Sequence, residues 1–510
     1  MDFKAEKKTV FLSETREPVA AQQNIGADIN LPDYCSDIKR ILKCIIMPGI
    51  TAVSVSGEKI TATGTAEIKL IYVSEKDKID CYETQKDISV IAESKGLNDN
   101  VTVSARAKTN YVNCRATSQR RISIEGNIGI TFELTEKVKK EIFSSCHGNG
   151  IQLKGSECAY ESLICQREKV FDMGETVQIP AEKGIVGKIL RCSAWAVLDS
   201  KKAVSDKLLI KGQLYTQLLY CKDNDEGKTE IFRHSMPISQ IIDLQGIDEN
   251  TSCSVSLSVR CITARRKPEA SSDSSLIEIA AKVAAMCKCT LIDEVTTVED
   301  CYSTSHEIKA GYTLEEFLCP VEIIERQKTV KKTVEIPSGD IGEIIDIWSG
   351  DVSSSMKGEG KKVKGECTVT LCLLYFNDKG VPQYTEKDIN FTFEAPLKEE
   401  HEYLRCRFAC DIRNIDVTVM ARDKFEVSVE TGIYAGIYSS VSKRILRDLQ
   451  VLVEKADKDD AALTLYFPAK GEKLWDIARR YSTTSEAIKN ENNMESDTVE
   501  GEKMLLIPAV

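Results

Sequence analysis

KITATGTAEIKLIY, residues 59–72, is the stretch that decides the fold, because apolar and polar side chains alternate along it. The apolar side chains that share one face of this stretch are Ile60, Ala62, Ala66, Ile68 and Leu70. A period of two is that of a β-strand with one face in a core. In antiparallel sheets the other face commonly meets water. The stretch therefore predicts a half-buried antiparallel strand and a mainly β fold.

Three landmarks recur three times before the last part of the chain. The first ends in proline and reads INLP at 29–32, VQIP at 177–180 and VEIP at 334–337. The second reads DIKRIL at 37–42, IVGKIL at 185–190 and DIGEII at 340–345. The third ends in tyrosine and reads LIY at 70–72, LLY at 218–220 and LLY at 373–375. Self-similarity at a fixed spacing predicts tandem copies of one unit.

Each copy closes with further alternating runs, which predicts a small β-sandwich or barrel-like domain. Residues 276–289 are rich in alanine, which favours helix. Their place in the repeat matches strands of the other two copies, so we predict a strand there. The predicted domains are residues 1–155, 156–320 and 321–452, then a charged linker at 453–460 and a last domain at 461–510.

Composition predicts a soluble, cytoplasmic protein of several domains. Basic residues number 68 and acidic residues 79, for a formal charge of −11, which argues against general nucleic-acid binding. The first residues are charged, and no apolar run has the length of a membrane span. Without a secretory segment, the 19 cysteines are expected to be reduced thiols, most of them buried as small hydrophobes.

The C-terminal segment has the order β-α-α-β. A strand at 463–466 is followed by an apolar helix face formed by Leu474, Ile477, Ala478 and Tyr481. Thr484 or Ser485 is expected to cap a second helix, and residues 503–508 to form a last strand. This pattern resembles a LysM module, many of which bind N-acetylglucosamine polymers.

In this sequence, the residues of the sugar-binding groove differ from those that are usual in LysM modules. Glu472 and Lys473 follow Gly471 in place of an Asp-Thr type pair, and the second connection is acidic. Glycan sites use neutral hydrogen-bonding groups beside an apolar platform, so these changes weaken the glycan interpretation. A protein-docking surface is the first interpretation, and binding of peptidoglycan or N-acetylglucosamine is the alternative.

The predicted partner-binding residues of this module are Trp475, Lys473, Leu474, Thr483 and Asn492. Trp475 lies one position away from the apolar helix face and is expected to be partly exposed. Exposed aromatic side chains are enriched at binding hot spots. The alternative for Trp475 is packing against the second helix.

Tandem copies of the three landmarks ahead of a LysM resemble the SPOCS domains of SipL-like spore-coat morphogenetic proteins, and more distantly SpoVID-like proteins. The resemblance implies a non-enzymatic scaffold of the mother cell at the forespore surface. It implies docking through the LysM onto the coat ATPase SpoIVA, binding of other coat proteins through the SPOCS repeats, and possible self-association.

Enzymatic, cofactor and metal sites are not expected. Residues 358–361 read GEGK, which lacks the four-residue spacer and the hydroxyl of a phosphate-binding loop. Cysteines with C-x-x-C spacing, typical of structural zinc sites, are absent from the sequence. The four histidines suggest no nucleophile–base pair.

Overall fold

The computed structural model describes residues 4–148, 150–223, 228–268, 275–336, 341–401, 403–455, 462–499 and 504–509. Strands make up nearly all of its regular structure, and two short α-helices lie near the C-terminus. The mainly β prediction is confirmed. Neither of the two α-helices in these described ranges is long and apolar enough to cross a membrane.

The strands form three consecutive modules, each opened and closed by long strands that pair with one another. Module 1 (residues 4–147) contains β1 Lys4–Thr15, β2 Val19–Asn30, β3 Ile38–Ser56, β4 Lys59–Ser74, β5 Ile79–Glu93, β6 Val101–Ser118 and β7 Arg121–His147. Module 2 (151–303) contains β8 Ile151–Ile179, β9 Val186–Val204, β10 Lys207–Lys222, β11 Thr229–Asp243, β12 Ser252–Arg266 and β13 Ser275–Ser303. Module 3 (306–454) contains β14 His306–Glu335, β15 Ile341–Glu359, β16 Lys362–Asn377, β17 Pro382–Pro396, β18 Leu404–Ala421 and β19 Lys424–Glu454.

Each module repeats one antiparallel topology. Three-stranded sheets are formed by β3-β4-β5, β9-β10-β11 and β15-β16-β17. The opposing layers pair in the orders β2-β7-β6, β8-β13-β12 and β14-β19-β18. Apolar side chains at alternate positions fill the space between the layers, as Ile60, Ala62, Ile68 and Leu70 do in β4. The alanine-rich stretch 276–289 lies within β13, which confirms the strand prediction.

Long strands carry the chain across the positions at which the sequence predicts domain boundaries. The positions 155/156 and 320/321 fall inside β8 and β14. Strand pairing ends at His147 in module 1 and at Ser303 in module 2, because β1 pairs with the end of β7, β8 with the end of β13 and β14 with the end of β19. Most of the predicted linker, 453–460, lies outside the described residues. The modules as independently folding domains stay a prediction.

Equivalent residues of the three modules meet in one hydrophobic cluster. It contains the residues before the landmark tyrosines, Ile71, Leu219 and Leu374, together with Leu190, Ile345 and the partly buried Leu42. These positions match across the three copies, so the modules pack around an approximate threefold axis. Because all three modules contribute to this cluster, the surface that each module turns to the centre is covered by the other two.

A second contact region, here called the stalk, lies beyond the sandwiches. It consists of β1, the first half of β8 and the first half of β14, paired with the last parts of β7, β13 and β19. All six strands contribute to one core, whose members are Val10, Leu12, Ile142, Cys158, Tyr160, Val295, Phe317 and Ile445. The stalk therefore joins all three modules a second time.

Buried charges link modules 2 and 3. Asp346 is 1 % exposed, and the Arg191 Nε and Nη2 atoms each lie 2.7 Å from its Oδ2 atom. Gln217 donates a hydrogen bond of 2.8 Å to the other carboxylate oxygen. Burial raises the pKa of Asp346, while the Arg191 charge and these hydrogen bonds favour the ionised form. The guanidinium of Arg191 also stacks 4.4 Å from the Trp348 ring centroid.

A second buried network crosses the stalk. The Glu161 carboxylate accepts hydrogen bonds from Arg407 and from Tyr438, at 3.1 and 3.0 Å, and lies 3.6 Å from the Lys288 Nζ atom. Lys288 also reaches Ser13 of β1, at 3.3 Å. Burial and the nearby Arg407 charge lower the pKa of Lys288 to about 8.

Lys288→Met is expected to flatten the alkaline stability profile. The pKa of Lys288 is lower in the folded state than in the unfolded state, so between about pH 8 and pH 10.5 the unfolded chain holds more protons. The contribution of Lys288 to the free energy of unfolding therefore rises with pH in that window, by at most about 3 kcal/mol. Urea unfolding of both proteins at several pH values measures the difference. Parallel curves for wild type and variant would contradict it.

The C-terminal module contains β20 Leu463–Tyr466, α1 Leu474–Arg480, α2 Ser485–Asn492 and β21 Leu505–Pro508. Strands β20 and β21 form an antiparallel pair beside the two helices. Thr484 is the N-cap of α2, and its hydroxyl accepts a hydrogen bond of 3.0 Å from the Ala487 N–H, so the capping prediction is confirmed. Leu474, Ile477 and Ala478 are fully buried, as their helical spacing predicts.

Candidate functional site

The candidate site is the surface of the C-terminal module that surrounds Trp475, and it lies against the end of β13. The Trp475 ring packs edge-on against Tyr302, with 4.8 Å between ring centroids. Its Nε1–H donates a hydrogen bond of 2.9 Å to the Asp300 Oδ2 atom. One turn later, Arg479 Nη1 lies 3.0 Å from the same oxygen. We call Asp300 and Tyr302, with Trp475 and Arg479, the stalk-tip contact.

Further polar groups hold the two parts together. The Tyr302 hydroxyl donates to the Thr483 carbonyl at 2.8 Å. Lys455, just after β19, lies within 2.8 Å of both the Ser303 carbonyl oxygen and the Ser482 hydroxyl. Tyr302 is 4 % exposed and belongs to the same apolar cluster as Leu474 and Ile477. The C-terminal module is therefore seated on module 2.

Trp475 combines features of both interpretations that the sequence leaves open. It is half-buried, so part of the indole faces solvent. Its contacts include a residue of module 2 in addition to the core of its own module. A partner would meet this surface at the exposed part of the ring and beside the exposed Arg479.

The other four predicted binding residues have different environments. The side chains of Leu474 and Thr483 are fully buried, so no partner can touch them in this arrangement. Asn492 bonds both of its amide atoms to the backbone of Leu506, at 2.6 and 2.7 Å, which ties α2 to β21. Lys473 is exposed at the start of α1. Among the predicted residues, Trp475 and Lys473 are thus the two whose side chains are placed for a partner.

The acidic residue in the first loop of the groove is held by groups of its own module. The Glu472 carboxylate accepts hydrogen bonds from the Tyr466 hydroxyl at 3.0 Å and from the Ala469 N–H at 3.1 Å. Arg480 lies 3.4 Å from the same carboxylate. Because the Glu472 carboxylate already binds these groups of its own module, it is not available to accept hydrogen bonds from sugar hydroxyls. Part of the facing connection, residues 500–503, lies outside the described residues.

The sequence interpretation missed two groups of residues. Asp300 and Tyr302 lie more than 170 positions from the helix that they contact, and no local pattern marks them. The second group is apolar and exposed on or beside β20: Leu463 is 46 %, Leu465 59 % and Phe467 75 % exposed. Their alternation along the strand is a signal that would have placed the first two on one face. Clustered exposed apolar residues are typical of interaction surfaces.

Three β modules with one topology are joined to a small βααβ module that carries a half-buried tryptophan at its surface. Comparison with known families identifies parts of this architecture. The SPOCS domain model of SipL matches residues 37–117 and 186–266, and the LysM domain model matches residues 469–508. These matches support a SipL-like protein with tandem SPOCS domains and a C-terminal LysM domain. No curated protein and no solved structure matches it.

The SPOCS matches correspond closely to the four middle strands of a module. They cover β3–β6 in module 1 and β9–β12 in module 2. In module 3, β15–β18 pair in the same order. SPOCS and LysM are non-catalytic binding domains, and their presence marks a sporulation-related protein with a module of the peptidoglycan-binding LysM type.

Proposed function

We propose that this chain is a non-enzymatic scaffold for assembly of the spore coat. In this proposal three SPOCS domains, which correspond to modules 1 to 3, bind other coat components at the forespore surface in the mother cell. The LysM domain, residues 461–510, docks onto the coat ATPase SpoIVA. The observation that carries the proposal is that Trp475 is only half-buried at the surface of the LysM. The acidic residue of the nearby groove, Glu472, already accepts a hydrogen bond within the module.

Tandem modules suit a scaffold for a physical reason. Linking several weak binding sites raises the effective concentration of each site for its partner, so avidity exceeds single-site affinity. The buried contacts between the modules hold those sites at defined distances. The charge of −11 disfavours general attraction to nucleic acid and leaves recognition to specific surfaces.

The stalk-tip contact sets a condition on docking. Because Asp300 and Tyr302 cover part of Trp475, a partner that takes the whole indole must displace them. Asp300→Ala is expected to tighten binding of SpoIVA by up to about tenfold, since between the stalk and the LysM it removes one hydrogen bond and one exposed ion pair. The matched control is Glu299→Gln, whose residue lies one position away and contacts Ser156.

The affinities of wild type, Asp300→Ala and Glu299→Gln for SpoIVA, measured by calorimetry, test whether the partner displaces the stalk-tip contact. Tighter binding of Asp300→Ala alone supports displacement of the stalk-tip contact. Unchanged binding means that the partner and the stalk do not compete for Trp475. Weaker binding means that the seated arrangement is the one that the partner recognises.

Removal of the LysM tests the docking proposal itself. A chain ending at residue 455 and the full chain are offered to immobilised SpoIVA, with circular dichroism to compare their strand content. The full chain is expected to be captured and the shortened chain to be lost. Equal capture of both would place the docking surface in the SPOCS modules.

Binding of peptidoglycan is the second candidate function, and the LysM match favours it. Sedimentation with purified cortex or cell wall separates the two candidates. Wild type is expected to remain in the supernatant under conditions in which it binds SpoIVA. Co-sedimentation that soluble N-acetylglucosamine oligomers abolish would favour the glycan function.

A further inference from the structure

Many of the cysteines are arranged in contacting groups. Cys253 and Cys289 face each other across β12 and β13, with 2.7 Å between their sulfur atoms. Cys165 lies opposite Cys289 on the other neighbouring strand, β8. Three thiols therefore form one row across three strands of module 2.

Three further thiol pairs lie elsewhere in the fold. Cys44 and Cys114 lie in one sandwich core, and Cys367 and Cys410 lie in another. Cys158 and Cys319 share the stalk core, where their sulfur atoms lie 3.7 and 2.7 Å from the same Ala159 carbonyl oxygen. The first pair links β3 to β6 in module 1, and the second links β16 to β18 in module 3. The third pair links β8 of module 2 to β14 of module 3, within the stalk. Each pair joins strands that are distant along the chain.

Every group contains at least one thiol that is buried and one that is partly exposed. The partly exposed members are Cys114, Cys165, Cys319 and Cys410. Filling a core with small apolar side chains explains single buried cysteines, but it does not require sulfur atoms to face each other. Within the described residues, no group of three or more side chains is arranged to hold a metal ion. The property that the four groups share is that each brings together thiols that could form a disulfide.

We propose that these four groups are modification sites at which disulfides form when the folded protein meets an oxidant of the peroxide class. A thiolate attacks a peroxide oxygen, which gives a sulfenic acid and water. The second thiol then attacks the sulfenic sulfur and releases a second water. Two thiols and one hydrogen peroxide thus become one disulfide and two waters.

Backbone geometry allows this step without rearrangement in module 2. Residues directly opposite each other in an antiparallel pair have Cα atoms about 4.5–5.5 Å apart, within the usual disulfide range of about 4.4–6.8 Å. Cys253 and Cys289 occupy such a pair, as do Cys289 and Cys165. Cys165 can therefore exchange with the Cys253–Cys289 disulfide.

Reactivity of the stalk pair has an electrostatic basis. The neighbouring Cys319 thiol and the Lys443 charge lower the pKa of Cys158 below the ordinary thiol value, which raises its thiolate share near neutral pH. The thiolate is the reactive form. Because Cys158 and Cys319 belong to different modules, their disulfide would fasten modules 2 and 3 covalently. Oxidation would then fix an assembly that formed under reducing conditions.

The test is oxidation of the native full-length chain with hydrogen peroxide, followed by alkylation of free thiols, unfolding and mass spectrometry. Titratable thiols are expected to fall from 19 to 11, with full recovery on addition of dithiothreitol. Peptide mapping is expected to show the disulfides 44–114, 158–319 and 367–410, and one disulfide of Cys289 with Cys253 or Cys165. Chain unfolded before oxidation should give mixed pairings.

Cys319→Ser is the matched variant, because Cys319 is partly exposed and the substitution is nearly isosteric. Its folded state is checked by circular dichroism, and oxidation is expected to consume six thiols instead of eight, with the other three disulfides formed. Cys261→Ser, at a partly exposed cysteine outside the four groups, is expected to leave all four disulfides. Sulfinic or sulfonic acids without disulfides, or disulfides between other pairs in the native chain, would overturn the proposal.

Discussion

Asp346→Ala is expected to destabilise the contact between modules 2 and 3 by about 3–5 kcal/mol, the usual cost of leaving one member of a buried ion pair alone. The substitution leaves the Arg191 guanidinium buried and without its carboxylate. Gln217 loses the acceptor of its side-chain amide at the same time. Urea unfolding, with hydrogen exchange of β9 and β15, measures the loss and locates it.

The control for this prediction replaces both charges. Arg191→Met combined with Asp346→Leu removes the pair without leaving an isolated charge, and such replacements are often neutral or stabilising. The double variant is therefore expected to be more stable than Asp346→Ala. If Asp346→Ala unfolds like wild type, the two modules are not held together by this ion pair.

Trp475→Glu is expected to abolish docking onto SpoIVA, with a loss of at least about 2 kcal/mol, while the LysM stays folded. Aromatic hot-spot residues typically contribute this much to an interface. The new carboxylate would also lie beside Asp300 and repel it, so the stalk-tip contact is expected to open. Binding is measured by calorimetry, and folding by circular dichroism.

Two companion variants separate the roles of Trp475. Trp475→Phe keeps an apolar ring and removes the Nε1 donor, so it is expected to weaken the stalk-tip contact more than docking. Asp300→Ala opens the stalk-tip contact with Trp475 in place. If Trp475→Glu unfolds the module, its role is that of a core residue, and the docking surface lies elsewhere on the LysM.

Local patterns predicted much of this fold. The alternation in 59–72 and its equivalents predicted the strands, since burial of one face of a sheet leaves a period of two in the sequence. The spacing of Leu474, Ile477 and Ala478 predicted the buried face of α1. These features depend on neighbours a few residues apart.

Such patterns did not predict contacts between residues that lie far apart along the chain. Strands β8 and β14 are about 30 residues long and continue from the stalk into a sandwich, so no turn signal marks the change, and the predicted boundaries fall inside them. The pairing of Arg191 with Asp346 joins equivalent positions of two copies, but an alignment of repeats does not show which copies touch. The contact between Trp475 and Asp300 likewise depends on how the LysM sits on module 2.

The most direct test of the central claim compares wild type and Trp475→Glu for binding to SpoIVA and for sedimentation with peptidoglycan, in parallel and with folding verified. The account predicts that wild type binds SpoIVA, that Trp475→Glu does not, and that neither sediments with peptidoglycan. Retained binding of SpoIVA by a folded Trp475→Glu, or sedimentation of wild type with peptidoglycan in place of capture by SpoIVA, would contradict it.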